Sequence, residues 1–297
     1  MHLLTLTAML VLHADKPDDS LAKKMLPIYV KEATEYSLAV ESAPRKALEL
    51  KTEPVFEWSS PGQNGFITQG VLFVWLRDGR PAAIGTIFSA APMNELRGRM
   101  LVHGLHALDP EKLVVTRPRE ALNKWVPRAG LARKELPDAP TPADTPRARL
   151  VQMRRLAQDF GGYEIDHQGE RWDFRLLPTP LYRYPAARVA VVDGALFALV
   201  SNRGTDPTVL LLLEAREAGG KLHWEYALGR FSDRSLYVHR KGQEVWSMVI
   251  GGENAFVHDP LHQYRLYAEK VVTTEGKVLA RIRQTATGRE YFPVEDK

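Results

Sequence analysis

Two histidines four residues apart give the clearest metal-binding pattern in the chain. His258 and His262 flank Asp259, so the segment offers two imidazoles and one carboxylate. Residues four apart share one face of a helix, which is the arrangement that zinc hydrolases use. Asp259-Pro260 is also typical of a helix start, and this would leave His258 outside the helix. The segment predicts either a metal site at His258, Asp259 and His262 or a short capped turn with exposed histidines.

A second histidine pair, His103 and His106, lies in a predicted strand. Successive side chains of a strand point to opposite faces, so an odd spacing separates the two rings. We therefore expect them to have structural or solvent-exposed roles and not to share a metal ion.

Four aromatic residues alternate along two short predicted strands: Phe56, Trp58, Tyr182 and Tyr184. Alternation places each pair on one face of a sheet. These rings either pack beneath a helix or form an exposed platform for sugar rings or a protein partner. Trp58, Tyr182 and Tyr184 are therefore candidate binding residues.

Arginines are concentrated on the second predicted helix, opposite its apolar stripe, at Arg147, Arg149, Arg154 and Arg155. A solvated helix face explains such a group, and a surface for an acidic ligand is the alternative. Arg154 and Arg155 are the candidate ligand contacts in this group.

Composition excludes several kinds of chemistry. The 297 residues include no cysteine, which rules out disulfides, thiolate catalysis and cysteine-ligated metals. The sequence has neither a nucleophile-elbow serine nor a phosphate-binding loop. The formal net charge of +4 is small for this length, so we expect no nucleic-acid partner. We also expect no cofactor, and whether the chain is an enzyme stays open, with a non-enzymatic role favoured.

The start of the chain resembles an export signal. The apolar run from Leu3 to Leu12 ends near Ala14, a small residue suited to a cleavage site. The run is too short to cross a bilayer, which takes about 20 residues. Residues 1–14 are predicted to be a signal peptide, with an N-terminal strand or buried helix as the alternative. We expect a periplasmic or secreted protein with no integral membrane segment.

Helices and hairpins can be placed from local patterns. An apolar stripe from Leu21 to Tyr36 predicts a first helix, kinked or divided at Pro27. Thr145-Pro146 predicts the start of a second helix, which Gly161-Gly162 would end. Two hairpins are predicted, one turning at 77–81 and the other at 202–207.

The two halves of the chain show similar patterns. A shift of 124 positions takes Leu26 to Leu150 and Gly70 to Gly194. These matches predict an α+β fold of two tandem repeats, each a helix packed on a curved antiparallel sheet, with a C-terminal β-hairpin. This architecture resembles cystatin-like and NTF2-like folds. The predicted divisions are residues 15–126 and 145–250 for the repeats, 127–144 for a proline-rich linker, and 251–297 for a C-terminal β extension.

Three stretches resemble uncharacterised exported proteins of planctomycete bacteria: residues 29–36, 76–83 and 171–184. The resemblance covers nearly the whole chain and implies export and a shared fold. It identifies no catalytic residue, because the similar proteins have no known activity.

Three functions remain open. The first is a non-enzymatic exported binding module for a protein or glycan ligand. The second is a periplasmic hydrolase with its site between the two repeats, and one version of it depends on a metal ion. The third is a structural component of the cell envelope.

Overall fold

The computed structural model describes residues 19–61, 67–91, 97–185, 190–249, 258–285 and 287–294. The predicted signal peptide, residues 1–14, lies outside this part of the chain. Strands account for 52% of the structure and helices for 11%. In chain order the elements are α1 (Asp19–Thr34), β1 (Ser37–Val40), β2 (Glu49–Leu50), β3 (Phe56–Pro61), β4 (Ile67–Arg77), β5 (Arg80–Ala90), β6 (Arg99–Ala107), β7 (Leu113–Thr116), β8 (Lys134–Glu135), α2 (Pro146–Gln158), β9 (Phe160–Ile165), β10 (Arg171–Leu176), β11 (Tyr182–Pro185), β12 (Val191–Ser201), β13 (Pro207–Ala218), β14 (Lys221–Arg230), β15 (Ser235–Arg240), β16 (Gln243–Met248), β17 (Tyr264–Val272), β18 (Val278–Gln284) and β19 (Arg289–Pro293).

The strands form two large sheets and one small one. The first large sheet has eight strands in the order β19-β18-β17-β6-β5-β4-β2, with β3 also paired to β4. The second has nine strands in the order β16-β15-β9-β10-β12-β13-β14-β8, with β11 also paired to β12. The small sheet pairs β1 with β7. All of these pairings are antiparallel, and the predicted hairpins β4–β5 and β12–β13 are confirmed.

An apolar core shared by the two large sheets lies at the centre of the molecule. Because side chains alternate along a strand, β4 contributes to two cores. Leu72 and Val74 face the shared core, whereas Phe73 and Trp75 face α1. Strand β12 divides in the same way between the shared core and a third core beneath α2. The middle strands are therefore buried on both faces.

The prediction of an α+β fold made of two helix-on-sheet repeats, cystatin-like or NTF2-like, is wrong. The chain is mostly β, and its two helices are minor elements of a structure with several sheets. The strands expected in a C-terminal extension instead complete the first sheet, since β17 pairs with β6 from Tyr264 to Val272. Alternation and turn residues identify strands locally, but they do not specify which distant strands pair.

The second sheet curls where β10 changes partners. Residues Arg171 to Asp173 pair with β9, and Phe174 to Leu176 pair with β12. As a result, Leu236 of β15 reaches the same core as the side chains of β12. Gly162 allows β9 to pass close to β15, because a Cβ at that position would lie 2.0 Å from the Tyr237 carbonyl oxygen. The glycines expected to end the second helix therefore belong to a strand.

The two helices differ in how well the sequence predicts them. The start of α2 is confirmed, since Thr145 caps it by accepting a hydrogen bond from the Ala148 amide at 3.2 Å. Helix α1 is one helix that includes Pro27, without the predicted division. The proline-rich range 127–144 contains β8, which pairs with β14. Neither helix in the described ranges is long and apolar enough to cross a membrane.

A buried polar network joins α1 to the first sheet. Lys270 donates to Glu32 at 2.8 Å, and His103 Nε2 lies 3.5 Å from the other carboxylate oxygen. The Tyr36 hydroxyl lies 2.5 Å from His103 Nδ1, which makes His103 a link between the tyrosine and the glutamate. Burial raises the pKa of Glu32, but His103 and Lys270 outweigh burial and lower it to about 2. Glu32 is therefore ionised and paired inside the protein.

We predict that a chain ending at Met248 will not fold cooperatively. Such a chain lacks β17, which covers the edge of β6 and contributes Tyr267 and Val271 to buried cores. Thermal unfolding followed by circular dichroism tests this, with a chain ending at Pro293 as the control. A truncated chain that melts sharply at the temperature of the full chain would show that the C-terminal strands are only an appendage.

Candidate functional site

A cleft of about 540 Å³ opens between the two large sheets. The first sheet contributes residues of β3, β4, β5 and β17 to its lining. The second sheet contributes the ends of β12 and β13 and the β14–β15 turn. The residues that matter for its chemistry are an apolar group, Trp58, Phe88, Phe231, Tyr264 and Leu266, and a charged group, Arg203, Asp206, Asp233 and Arg234. The cleft therefore combines a mainly aromatic wall with cations and carboxylates.

The β12–β13 turn closes one side of the cleft by bonding to β3. The Thr205 hydroxyl donates to the Ser59 carbonyl at 2.8 Å and accepts from the Ser59 amide at 3.1 Å. Next to it, the Ser60 hydroxyl donates to Asp206. Gly204 permits this approach, because a Cβ there would lie 2.1 Å from Ser60 Oγ. The position of Asp206 in the cleft is thus fixed by contacts between the sheets.

Ring contacts hold the aromatic wall in place. Trp58 donates its indole N–H to the Thr86 hydroxyl at 3.0 Å and packs 5.3 Å from the Phe88 ring. Phe231 packs 5.7 Å from the ring of Tyr264. Edge-to-face and tilted pairs at these separations are favourable. Contacts within the protein itself therefore position the rings of this wall.

The Tyr264 hydroxyl makes no hydrogen bond to any described residue, although the side chain is only 3% exposed. Burial raises the pKa of this hydroxyl, and the nearby charges of Asp233 and Asp206 raise it further. It is therefore a neutral O–H group at physiological pH. Buried polar groups are usually hydrogen-bonded, so this one is suited to bond a water molecule or a ligand.

Charged residues of the cleft are held by partners outside it. Arg203 donates to Asp166 at 2.8 Å and lies 4.6 Å from the centre of the Trp172 ring. Arg234 is paired with Glu164, a buried carboxyl whose pKa is raised by burial in spite of that arginine. Each arginine is thus held at the cleft through its Nη1 atom, which donates to a carboxylate outside the cleft.

Asp233 is paired with His167, whose Nε2 lies 3.3 Å from the Asp233 carboxylate. The hydrogen bond to Asp233 raises the pKa of His167. Burial raises the pKa of Asp233, but the hydrogen bond and charge of His167 and the charge of Arg234 outweigh burial and lower it. The two groups therefore stabilise each other's charged forms.

Two further cavities adjoin this region. One of about 210 Å³ lies between α1 and strands β3 and β4 and shares Trp58 with the cleft. The other, of about 330 Å³ and called here the second cavity, shares Tyr264 with the cleft. His106, Arg128, Gly229, Arg230 and Trp246 line the second cavity. Each of these two aromatic residues therefore lines two cavities.

The predicted aromatic residues are separated in the structure. Trp58 lines the cleft. Tyr184 is fully buried, and its hydroxyl donates to Glu214 at 2.8 Å, while Tyr182 is half-buried beside it. Neither tyrosine lines the cleft, so Trp58 is the member of this group that a ligand in the cleft could touch.

The arginines of α2 also divide. Arg154 and Arg155 are exposed and line none of the cavities described above. Arg149, expected on the same solvated face, is instead buried and donates to Asp193 at 3.1 Å. Helix α2 therefore uses one arginine to attach itself to β12.

The predicted metal ligands are not gathered into one group. His262 lies 3.6 Å from Asp259 and lines the second cavity. His258 instead donates from Nδ1 to the Leu266 carbonyl at 2.7 Å. In the described part of the chain, no three histidine, aspartate or glutamate side chains are grouped as a metal site would require. Asp259 accepts a hydrogen bond from the Leu261 amide at 2.9 Å. This bond is the one expected for the alternative prediction, a short capped turn.

None of the four charged residues of the cleft is predicted from the sequence. Asp206 lies in the β12–β13 turn, for which the sequence predicts only a connection, and Asp233 lies in the β14–β15 turn. Each turn carries an arginine close to an aspartate, Arg203 with Asp206 and Asp233 with Arg234. These neighbouring opposite charges are the sequence signal for a polar site. They do not show that the two turns lie close together in the structure.

Comparison with known proteins adds no assignment to this geometry. No protein-family model, curated protein or solved structure matches the chain. The site must therefore be interpreted from its own residues.

We predict that replacing His167 with alanine lowers stability most between pH 3.8 and 6.5, the ordinary pKa values of aspartate and histidine. Because the pKa of His167 is raised in the folded protein, its contribution to stability is full below pH 6.5. That contribution is lost as the pH rises through the pKa of the folded protein. The lowered pKa of Asp233 makes its contribution full above 3.8 and lost as pH falls through the folded value. Both side chains are more than a third exposed, so the difference should be at most about 1 kcal/mol.

Urea unfolding of the wild type and His167→Ala at pH 5.5 and pH 8.5 measures this difference. Equal losses of stability at the two pH values would contradict the charge pairing.

Proposed function

We propose that this chain is a non-enzymatic binding module and that the cleft between its sheets binds a glycan. The observation that carries the proposal is the Tyr264 hydroxyl, which bonds to no described residue and belongs to a cleft lined by an aromatic wall and two carboxylates. A sugar presents apolar ring faces and hydroxyl groups together, which matches both parts of this lining.

Size and rigidity support a small-molecule ligand. Ligand pockets usually have volumes of about 300–1,000 Å³, and they are largely formed before the ligand binds. The cleft, at about 540 Å³, lies in this range. Its wall is held by the Trp58–Phe88 and Phe231–Tyr264 ring contacts. A ligand would therefore pay little to order the site.

The polar groups of the cleft suit hydroxyl recognition. Asp206 and Asp233 can accept hydrogen bonds from sugar hydroxyls, and the arginines can donate to sugar oxygens. Tyr264 can do either. Because Asp206 is held by Ser60 and Asp233 by His167, these carboxylates keep their orientation while oxygen lone pairs remain for a ligand.

Export is part of the proposal. The predicted signal peptide at residues 1–14 and the resemblance to exported planctomycete proteins favour a periplasmic or secreted protein, which would meet glycans outside the cytoplasm. Tests of the cleft do not depend on this location.

The hydrolase alternative has less support. As a metal enzyme it would use His258, Asp259 and His262, but the His258 ring bonds a backbone carbonyl while His262 faces the second cavity. Glu164 is a buried carboxyl with a raised pKa, yet it is bonded to Arg234 and does not line the cleft. Neither arrangement supplies a reactive group at the cleft.

We predict that Tyr264→Phe weakens glycan binding without lowering stability. The change removes a hydroxyl that has no described partner, so the folded state loses no bond, while the complex loses about 0.5–1.5 kcal/mol, the net value of one hydrogen bond. Tyr184→Phe is the matched control. It should cost about 1.5–3 kcal/mol of stability, the value for a bond to a charged group, and leave glycan affinity unchanged.

The measurement begins with thermal shifts of the wild type against soluble chito-, cello-, xylo- and pectic oligosaccharides, followed by calorimetry on any that bind. Failure of the whole panel, or equal glycan affinity in the wild type and Tyr264→Phe, would count against glycan binding in the cleft.

A further inference from the structure

We infer that the second cavity is a separate binding site for a small hydroxy acid, a carboxylate ligand that also carries a hydroxyl group. The inference goes beyond the proposed glycan site, since it rests on residues that do not line the cleft. His106, Arg128 and Arg230 are the polar residues on which it rests, with His262, Gln263 and Tyr264 also in the lining, and Gly229 places no side chain beside His106.

The charge of the second cavity favours an anion. Arg128 and Arg230 line it, and no aspartate or glutamate does. Arg230 is only 4% exposed, and its Nε and Nη2 donate to the carbonyls of Ser232 and Arg234 at 2.8 and 2.6 Å. Arg128 is exposed at the cavity and forms no ion pair with a described residue. A carboxylate in the cavity could pair with Arg128, and the buried Arg230 adds positive charge to the same lining.

His106 supplies an acceptor inside the same cavity. Its Nδ1 lies 2.7 Å from the Ala107 carbonyl, so Nδ1 carries the proton and Nε2 is left with a lone pair. Burial lowers the pKa of His106 to about 4, which keeps the ring neutral at pH 7. Nε2 makes no hydrogen bond to any described residue, and the side chain is 2% exposed. A ligand hydroxyl would satisfy this nitrogen.

Gly229 keeps a side chain away from that nitrogen. A Cβ at residue 229 would lie 2.9 Å from His106 Nε2 and 3.2 Å from Leu131. The remaining wall combines apolar side chains, Leu131, Leu228, Trp246 and Met248, with the polar side chains of His262, Gln263 and Tyr264. Apolar contacts suit a carbon skeleton better than a bare inorganic anion, and the volume of about 330 Å³ is sufficient for a small organic acid.

Calorimetry at pH 7 with D-gluconate tests the inference directly. Three compounds each lack one feature of gluconate. Hexanoate has six carbons and a carboxylate but no hydroxyl groups, and sorbitol has the hydroxyl groups but no charge. Inorganic phosphate is an anion without a carbon chain. We expect gluconate to bind, with each of the three comparison compounds weaker by about tenfold or more, as expected when one polar contact is left unpaired. Absence of gluconate binding, or equal binding of sorbitol or phosphate, would overturn the assignment.

Two variants locate the bound acid. Gly229→Ala should weaken gluconate binding about tenfold by obstructing His106 Nε2, and Arg128→Gln should do so to a similar extent by removing a charge. Arg45→Gln, at an exposed arginine that lines none of these cavities, is the control and should bind as the wild type does. Because Arg128 is exposed, its variant should fold even if Gly229→Ala does not, and unchanged affinity in Arg128→Gln would overturn the site.

A cleft variant separates this site from the proposed function. Asp206→Asn changes the cleft alone, so it should weaken oligosaccharide binding and leave gluconate binding intact. Gluconate binding that Asp206→Asn abolishes would place the acid in the cleft and refute a second site. Failure of the oligosaccharide panel leaves the gluconate result unaffected.

Discussion

The face-to-face contact of the two large sheets is the constraint on which the rest of the structure depends. It requires β4, β12 and β13 to be apolar on both faces, because one face meets the other sheet and the other face meets a helix or the curled strands. Removing apolar surface from water stabilises this contact by about 25 cal/mol per Å². The four charged residues of the cleft come from the turns that follow β12 and β14, where these buried strands end.

Placement at strand ends also explains why the cleft is already ordered. Thr205 bonds to both backbone groups of Ser59, so the turn of one sheet is attached to a strand of the other. Asp206 is adjacent to this attachment and cannot move independently of either sheet. By contrast, the pairing of β17 with β6 and ring contacts position Tyr264, and its hydroxyl bonds to no described residue. Rigid carboxylates next to an unfilled hydrogen-bonding group are a reasonable basis for selective binding, because the cost of ordering the site was met during folding.

Part of the fold can be predicted from residues that are close together in the sequence. The β4–β5 turn needs positive φ at Asp78 (51°) and Gly79 (84°), which the Asp-Gly pair in the sequence supplies. Thr145 was predicted as the cap of α2 for the same kind of local reason. The pairing of β6 with β17 could not be predicted, since alternation is the same whichever strand lies alongside. The cleft depends on that pairing, because it brings Tyr264 near Phe231 and the turn that follows. Trp58 was a candidate from its alternation, but the same pattern also selected Tyr184, which is buried.

The bond between Lys270 and Glu32 joins residues 238 positions apart. During synthesis the glutamate is made long before this cation. Until Lys270 is present, α1 can bury the Glu32 carboxylate only against His103, and burying a charge with fewer partners is costly. A chain halted before β17 would therefore hold α1 less firmly on the first sheet and leave the apolar face of the helix more accessible.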